Sequence, residues 1–187
     1  MRYSTLLVSS VATLASAIDI RFHSRNFFDC NGQWFEACVG ANPNFCCYNT
    51  DNGGGSGWVS IAAIPRQWSI IAVGAPDQGC GYQYVSGSNN GTPDICLVMN
   101  GGNDADDGIS SVFYYFTGSK RSASGEVCTG SQRTNFVSMG PGVQFDLQHV
   151  GEQDYQRFVS NRITVLLLCL LLTVVCRWQS TGIILTM

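Results

Sequence analysis

An all-β sandwich or barrel, stapled by disulfides, is what this sequence predicts, and three observations carry the prediction. Segments such as Ile18-Asp19-Ile20-Arg21-Phe22 alternate apolar with polar residues, a period of two that turns one face of a strand to a core and the other to water. Clusters of Gly, Pro, Asn and Asp separate short β-branched and aromatic runs, which is turn chemistry. Only 12% of the 187 residues are charged, while 21 are glycine and 11% aromatic, so turns and aromatic packing outweigh salt-bridged helices.

The chain opens on Met1-Arg2-Tyr3, continues through the mostly apolar Leu6 to Leu14 and ends this stretch on Ala15-Ser16-Ala17. A basic start, an apolar middle and a small-x-small close make residues 1–17 an export signal. Residues 18–158 then form one β-domain of ordinary size. Its strands are Ile18 to Phe22, Trp58 to Ile64, Trp68 to Val73, Gly81 to Val85, Ile95 to Met99, Val112 to Thr117 and Val143 to Leu147, seven or eight in all. Turns follow at Pro65-Arg66-Gln67, Ala75-Pro76-Asp77, Ser88-Asn89-Asn90-Gly91 and Asn100 to Asn103. Glu152 to Phe158 is weakly helical, and Asn49 to Gly57 reads as a flexible connector.

Seven cysteines stand between the signal and the end of this domain: Cys30, Cys38, Cys46, Cys47, Cys80, Cys96 and Cys128. Behind an export signal they are disulfide candidates. The adjacent Cys46 and Cys47 go to different partners, and the odd number leaves one thiol free, paired between chains, or joined to Cys169 or Cys176. Zinc is the poorer reading, because CxxC knuckles are absent and His23 and His149 are the two histidines. Asn90-Gly91-Thr92 is a glycosylation sequon on a turn, weakened by Pro93. Lys120-Arg121 is a dibasic step in a polar loop.

Phe22-His23-Ser24-Arg25-Asn26-Phe27, followed by Gly32 and Trp34, resembles the aromatic corner of a βγ-crystallin Greek key. Ser60, Trp68 and the strands to Val85 resemble the rest of that key. The resemblance implies a Greek-key sandwich in which Phe22, Phe27, Gly32, Ser60 and Trp68 are fold-critical. It gives Gly32 a positive φ and makes the Ser60 hydroxyl tie the folded hairpin to its neighbour. It also implies a weak calcium site at Asp51 and Asn52, impaired by Gly55 where a hydroxyl ligand belongs. The acidic Asn103 to Gly108 lacks the ligand spacing of an EF-hand and reads as a solvated turn. Ile20 to His23, Cys38, Asn42 to Asn44 with Cys46-Cys47, and Ile64-Pro65 with Trp68 are similar to small cysteine-rich secreted proteins of filamentous fungi, a group that brings no activity with it.

No catalytic constellation stands out. His23 and Ser24 are strand neighbours facing opposite ways, and the acidic residues Asp29, Glu36, Asp77, Asp94 and Asp146 fall in no diagnostic motif. The expected function is therefore a secreted binding or interaction protein, effector- or toxin-like, with an unidentified extracellular partner and no cofactor. A secreted hydrolase with an unrecognised carboxylate site is the alternative. A net charge of -3 with ten scattered Lys and Arg gives no field for nucleic acid.

The tail, residues 159–187, changes character. Ile163 to Cys176 is almost wholly apolar between Arg162 and Arg177, shorter than the about 20 residues of a full span. Two readings stand: a single membrane anchor over 163–185, or gene-model read-through past Phe158.

Overall fold

A computed structural model describes residues 18–24, 29–50, 55–99, 108–117, 128–141 and 143–160. The export signal, Phe27, the calcium candidates Asp51 and Asn52, the loop at 103–107, the dibasic step and the apolar tail lie outside the described residues. Among the described residues there are eleven strands and one helix: β1 Ile18–His23, β2 Trp34–Ala41, β3 Phe45–Tyr48, β4 Trp58–Ala62, β5 Ile70–Ala75, β6 Val85–Ser88, β7 Ile95–Val98, β8 Ser111–Phe116, β9 Gly130–Arg133, β10 Phe136–Met139, β11 Gln144–Asp146 and α1 Glu152–Ser160. They build two sheets, ordered β11-β10-β2-β1-β4-β7 and β6-β5-β8-β3-β9. Among the described residues no helix is long and apolar enough to cross a membrane.

Alternation places the core. Ile18, Ile20 and Phe22 of β1 are buried between the half-exposed Asp19 and Arg21, which pair with each other at 3.1 Å. These three residues join Val59 and Ile61 of β4, Ile70 and Ala72 of β5, and Val112 and Tyr114 of β8 in one apolar cluster. Tyr114 donates its hydroxyl proton to the Ala41 carbonyl at 3.0 Å, and burial pushes its pKa up to about 12. Trp68 packs edge-on against Phe116 at 4.9 Å and is half-buried, at the rim of the core.

The sheets share one pattern of connection. In the first, β2, β1 and β4 are neighbours while β3 crosses to the second sheet; in the second, β6, β5 and β8 are neighbours while β7 crosses to the first. β7 docks beside β4, and β3 docks beside β8. Each run of four strands thus lends its third strand to the other. The two runs meet at an isolated antiparallel bridge, where Ser56 and Ile109 exchange both backbone hydrogen bonds at 2.8 Å.

β9 joins β3 in parallel, while β10 and β11 extend the first sheet beyond β2. Val137, Met139, Phe145, Leu147, Tyr155 and Phe158 form a second apolar cluster that seats α1. Acidic Glu152 and Asp154 occupy the first helical turn and Arg157 the last, as the helix dipole favours.

Three expectations are corrected. The described residues alone hold eleven strands, not seven or eight. Gly81 to Tyr84 is loop, because the Asp77 carboxylate takes the backbone N–H groups of Gly79, Gly81 and Tyr82 at 3.0, 3.0 and 3.1 Å, leaving strand pairing to begin at Val85. The described ends of the Asn49 to Gly57 connector are packed, with Asn49, Thr50, Gly55 and Ser56 buried.

Candidate functional site

The two folded corners after β1 and β5 hold most of the chain's distinctive chemistry. After β1, the His23 ring bonds to the Gly32 carbonyl through Nδ1 at 3.1 Å and to the Ser60 hydroxyl through Nε2 at 2.8 Å. A carbonyl only accepts, so Nδ1 carries the proton and Nε2 receives the one Ser60 donates. Both side chains are sealed, at 3% and 5% exposure. Desolvation holds the His23 pKa below its usual 6.5, with Arg21 adding to the effect and the Gly32 hydrogen bond and Asp29 opposing it.

Gly32 was expected at positive φ. The positive-φ glycines among the described residues are Gly40, Gly55, Gly91 and Gly140, and Gly32 is not one of them. Its corner is closed by the His23 ring and Ser60 instead of by a left-handed turn.

After β5, the buried Ser111 hydroxyl donates to the Asp77 carbonyl and accepts from the Cys80 N–H at 3.1 Å. Burial tends to raise the Asp77 pKa, but the N–H groups of Gly81, Tyr82 and Gly79 outweigh it and hold the carboxyl below its ordinary range. A serine of the intervening strand, β4 in one case and β8 in the other, ties down each corner.

Three disulfides cross the same regions. Cys38–Cys47 joins β2 to β3 through the core, both sulfurs buried. Cys30–Cys96 carries the first corner over β4 to β7, and Cys46–Cys80 carries the second corner over β8 to β3. Cys46 and Cys47 point to opposite faces of β3, as neighbours on a strand must, so one serves the core and the other the outer face. Cys80 stands as far beyond Cys30 in the chain as Cys96 stands beyond Cys46. The two bridges are therefore equivalent, each fastening one run of four strands to the strand lent by the other. That equal interval was the signal in the sequence for two equivalent halves, although it fits Cys30–Cys46 with Cys80–Cys96 as well as the bridges found. Cys128, the odd cysteine, is free.

A buried polar cluster seats the helix. Thr134 Oγ1 donates to Glu36 at 3.1 Å and lies 2.7 Å from the Tyr155 hydroxyl, which also receives the Thr50 hydroxyl at 2.8 Å. The Arg133 guanidinium covers the Tyr155 ring at 4.1 Å and pairs with Glu152. Desolvation, and after it the Glu36 charge, raises the Tyr155 pKa. Sequence reasoning did not find this cluster, whose members come from four separate segments. The acidic candidates do not converge: Glu36 is buried here, whereas Asp29, Asp77, Asp94 and Asp146 are exposed.

The described surface displays Val39, Tyr82 and Tyr84, the tyrosines at 65% and 52% exposure. Their loop is anchored at both ends, by Asp77 on the Tyr82 N–H and by Tyr84 N–H to the Gly74 carbonyl at 2.9 Å. Asn90 is exposed at φ 45° on its turn, with its side-chain oxygen receiving the Ser88 hydroxyl at 2.8 Å.

A family model described as ARB_05566_N, N-terminal domain, matches residues 19–135, a stretch that holds both corners and all three bridges. The chain belongs to this family. The match to ARB_05566_N ends before β10, so β10, β11 and α1 lie beyond the matched part. No curated protein and no solved structure matches the chain.

Two results are expected at the first corner. Ser60→Ala leaves Nε2 of a sealed imidazole without its donor and should cost about 1–3 kcal/mol, read by denaturant unfolding. Because the folded His23 pKa lies below the unfolded one, the unfolded state binds the extra proton. Stability should be full above about pH 6.5 and fall as the pH drops through and below it. A melting temperature independent of pH between about 7 and 5, or an equal acid loss in His23→Gln, would contradict this.

Proposed function

We propose that this chain is an exported, crosslinked binding domain, built as a pair of crystallin-like Greek keys, that acts outside the cell by contact rather than by catalysis. The Greek-key reading rests on the strand order. A key places its fourth strand beside its first in the order 4-1-2-3, and each run here keeps 4-1-2 in one sheet while folding the third strand onto the other. Export rests on residues 1–17 and on three disulfides, which persist in oxidising compartments.

The observation that carries the binding reading is the division of labour between inside and outside. Polar groups of the corners are occupied in holding the fold, while Tyr82 and Tyr84 are presented on an anchored loop. Tyrosine gives contact area and a hydrogen-bonding tip at low entropic cost. The reading calls for no cofactor and no membrane anchor.

A second reading is favoured by one feature, the Ser60 to His23 to Gly32 chain of hydrogen bonds, which has the order of nucleophile, base and orienting group. In a secreted serine hydrolase the corner would have to open for substrate. One experiment separates the two. Purified protein is treated with a fluorophosphonate probe and, separately, fluorescently labelled and applied to intact hyphae and cell-wall particles. Contact binding predicts no label on Ser60 and retention that falls at least about tenfold in Tyr82→Ala/Tyr84→Ala, the scale of a lost interfacial anchor, at unchanged melting temperature. Stoichiometric label that disappears in Ser60→Ala would establish the hydrolase instead.

A further inference from the structure

We propose that Cys46, Cys80 and Cys128 form a thiol–disulfide exchange site, in which Cys128 attacks Cys46, makes a Cys46–Cys128 bond and releases Cys80 as a thiol. The three sulfurs all lie within 4.8 Å of one another, although Cys46 and Cys80 already form a bridge and Cys128 is free. Exchange needs a thiolate beside a disulfide and in line with its S–S bond; the described positions supply the first, and a turn of the Cys128 side chain has to supply the second. The step is balanced within the chain: the Cys128 thiolate forms one S–S bond, the Cys46–Cys80 bond breaks, and the electron pair and then the proton pass to Cys80. No external oxidant or reductant takes part.

Geometry selects Cys46 as the sulfur attacked. Residues following Cys128 enter β9, which pairs in parallel with β3, matching Phe45 to Gly130 and Cys46 to Ser131. Thr129, next to Cys128, donates its N–H to the Asn44 carbonyl at 2.8 Å. Cys128 is therefore already fastened to the strand that carries Cys46, and the new bond asks for no rearrangement of that pairing.

Release also favours Cys80. It sits at φ 53°, in the left-handed region that a residue with a Cβ adopts at a cost. Freed from Cys46, it lies on a turn whose neighbours Gln78, Gly79 and Gly81 are exposed. Exchange thus moves the latch on β3 from the second corner to β9 and presents a thiol at the turn. Desolvation, and after it the Asp77 charge, raises the Cys128 pKa, so the thiolate is scarce at neutral pH and exchange accelerates with alkalinity.

The equivalent bridge supplies the control. Cys30–Cys96 has no third sulfur beside it among the described residues, so it should not exchange.

The test uses the full oxidised chain, held at pH 6 and at pH 8.5, quenched in acid, alkylated and digested with trypsin without reductant. Cleavage puts Cys128 alone on peptide 122–133, Cys46 with Cys30, Cys38 and Cys47 on 26–66, and Cys80 with Cys96 on 67–120, so fragmentation spectra assign the linked and the alkylated sulfurs. Unexchanged protein yields 122–133 alkylated and unlinked. At pH 8.5 about 1% or more, within the range of an accessible minor state, should become linked to 26–66 with the alkyl group moved to Cys80, while Cys30–Cys96 stays intact. In Cys80→Ala, refolded in a glutathione buffer, the Cys46–Cys128 bond should be the main form. A peptide 122–133 that stays alkylated throughout would overturn the proposal, as would its linkage to a second copy or to peptide 163–177. Should Cys80→Ala fail to fold, the wild-type digest alone decides.

Discussion

Gly55→Ala should abolish folding or cost at least about 4–5 kcal/mol, the upper end of single-residue effects. A Cβ at Gly55 would stand 2.2 Å from the backbone carbonyl carbon of Gly108, and one at Gly108 would stand 2.4 Å from that of Gly55. Neither obstacle is a side chain that can swing away. The two backbones are held together by the paired hydrogen bonds of Ser56 and Ile109, so relief would mean parting the bridge where the two runs of strands meet. Gly55 also has φ 37°, which adds about 1–3 kcal/mol of strain for a residue with a Cβ. Gly57→Ala, in the same segment with open space around it, is the control and should change the melting temperature little. Equal melting of the two variants would show that the Gly55–Gly108 approach leaves room for a side chain, contrary to this account.

Removing both equivalent bridges, as Cys30→Ala/Cys96→Ala with Cys46→Ala/Cys80→Ala, should leave the domain unfolded at ordinary temperature. The bridges span sequence separations of 66 and 34, and loop-closure entropy assigns about 4 kcal/mol to each. Together they match the whole stability of a typical domain, about 5–15 kcal/mol. Each pair removed alone should leave a folded but weakened protein, and by nearly the same amount, because the entropic cost grows only with the logarithm of loop length. Cys38–Cys47, with a separation of 9, should contribute less from entropy, about 2.5 kcal/mol. Urea unfolding of the variants measures all of this. Full stability of the protein lacking both bridges would refute the account of what holds the corners.

Strands were legible where one face is wet and the other dry. β1 and β11 alternate cleanly, and β4, β5, β7 and β8 announce themselves by β-branched and aromatic residues between turns. β2 was not legible, because Glu36, Ala37 and Cys38 are buried in succession. That strand has an apolar cluster on one face and the polar cluster under α1 on the other, so no period of two survives. β9, Gly130–Arg133, is polar throughout and owes its form to pairing with β3. The Tyr82-Gln83-Tyr84-Val85 pattern looked like strand, but one carboxylate five residues earlier captured its backbone.

For the site, the crystallin resemblance drew attention to Ser60, whereas the partner of its hydroxyl was not legible. His23 is 37 residues away, and only the pairing of β1 with β4 brings them together. Gly32 matched the resemblance in position but not in conformation, since a ring and a hydroxyl do the work assigned to its backbone. The cysteines showed that crosslinks exist. Their pairing stayed unread because chain order gives no distance: the repeated interval between Cys30 and Cys80 and between Cys46 and Cys96 marks two equivalent halves, and only the exchange of β3 and β7 between the sheets makes the bridges cross.

The most direct test of the central claim is the disulfide map of protein recovered from the culture medium and quenched in acid. The account predicts a chain beginning at Ile18 in which, of the seven cysteines from Cys30 to Cys128, six form Cys30–Cys96, Cys38–Cys47 and Cys46–Cys80 and Cys128 alone is a thiol. Bridges confined within one half, such as Cys30–Cys38 with Cys80–Cys96, or seven free thiols on a protein that never leaves the cell, would contradict it.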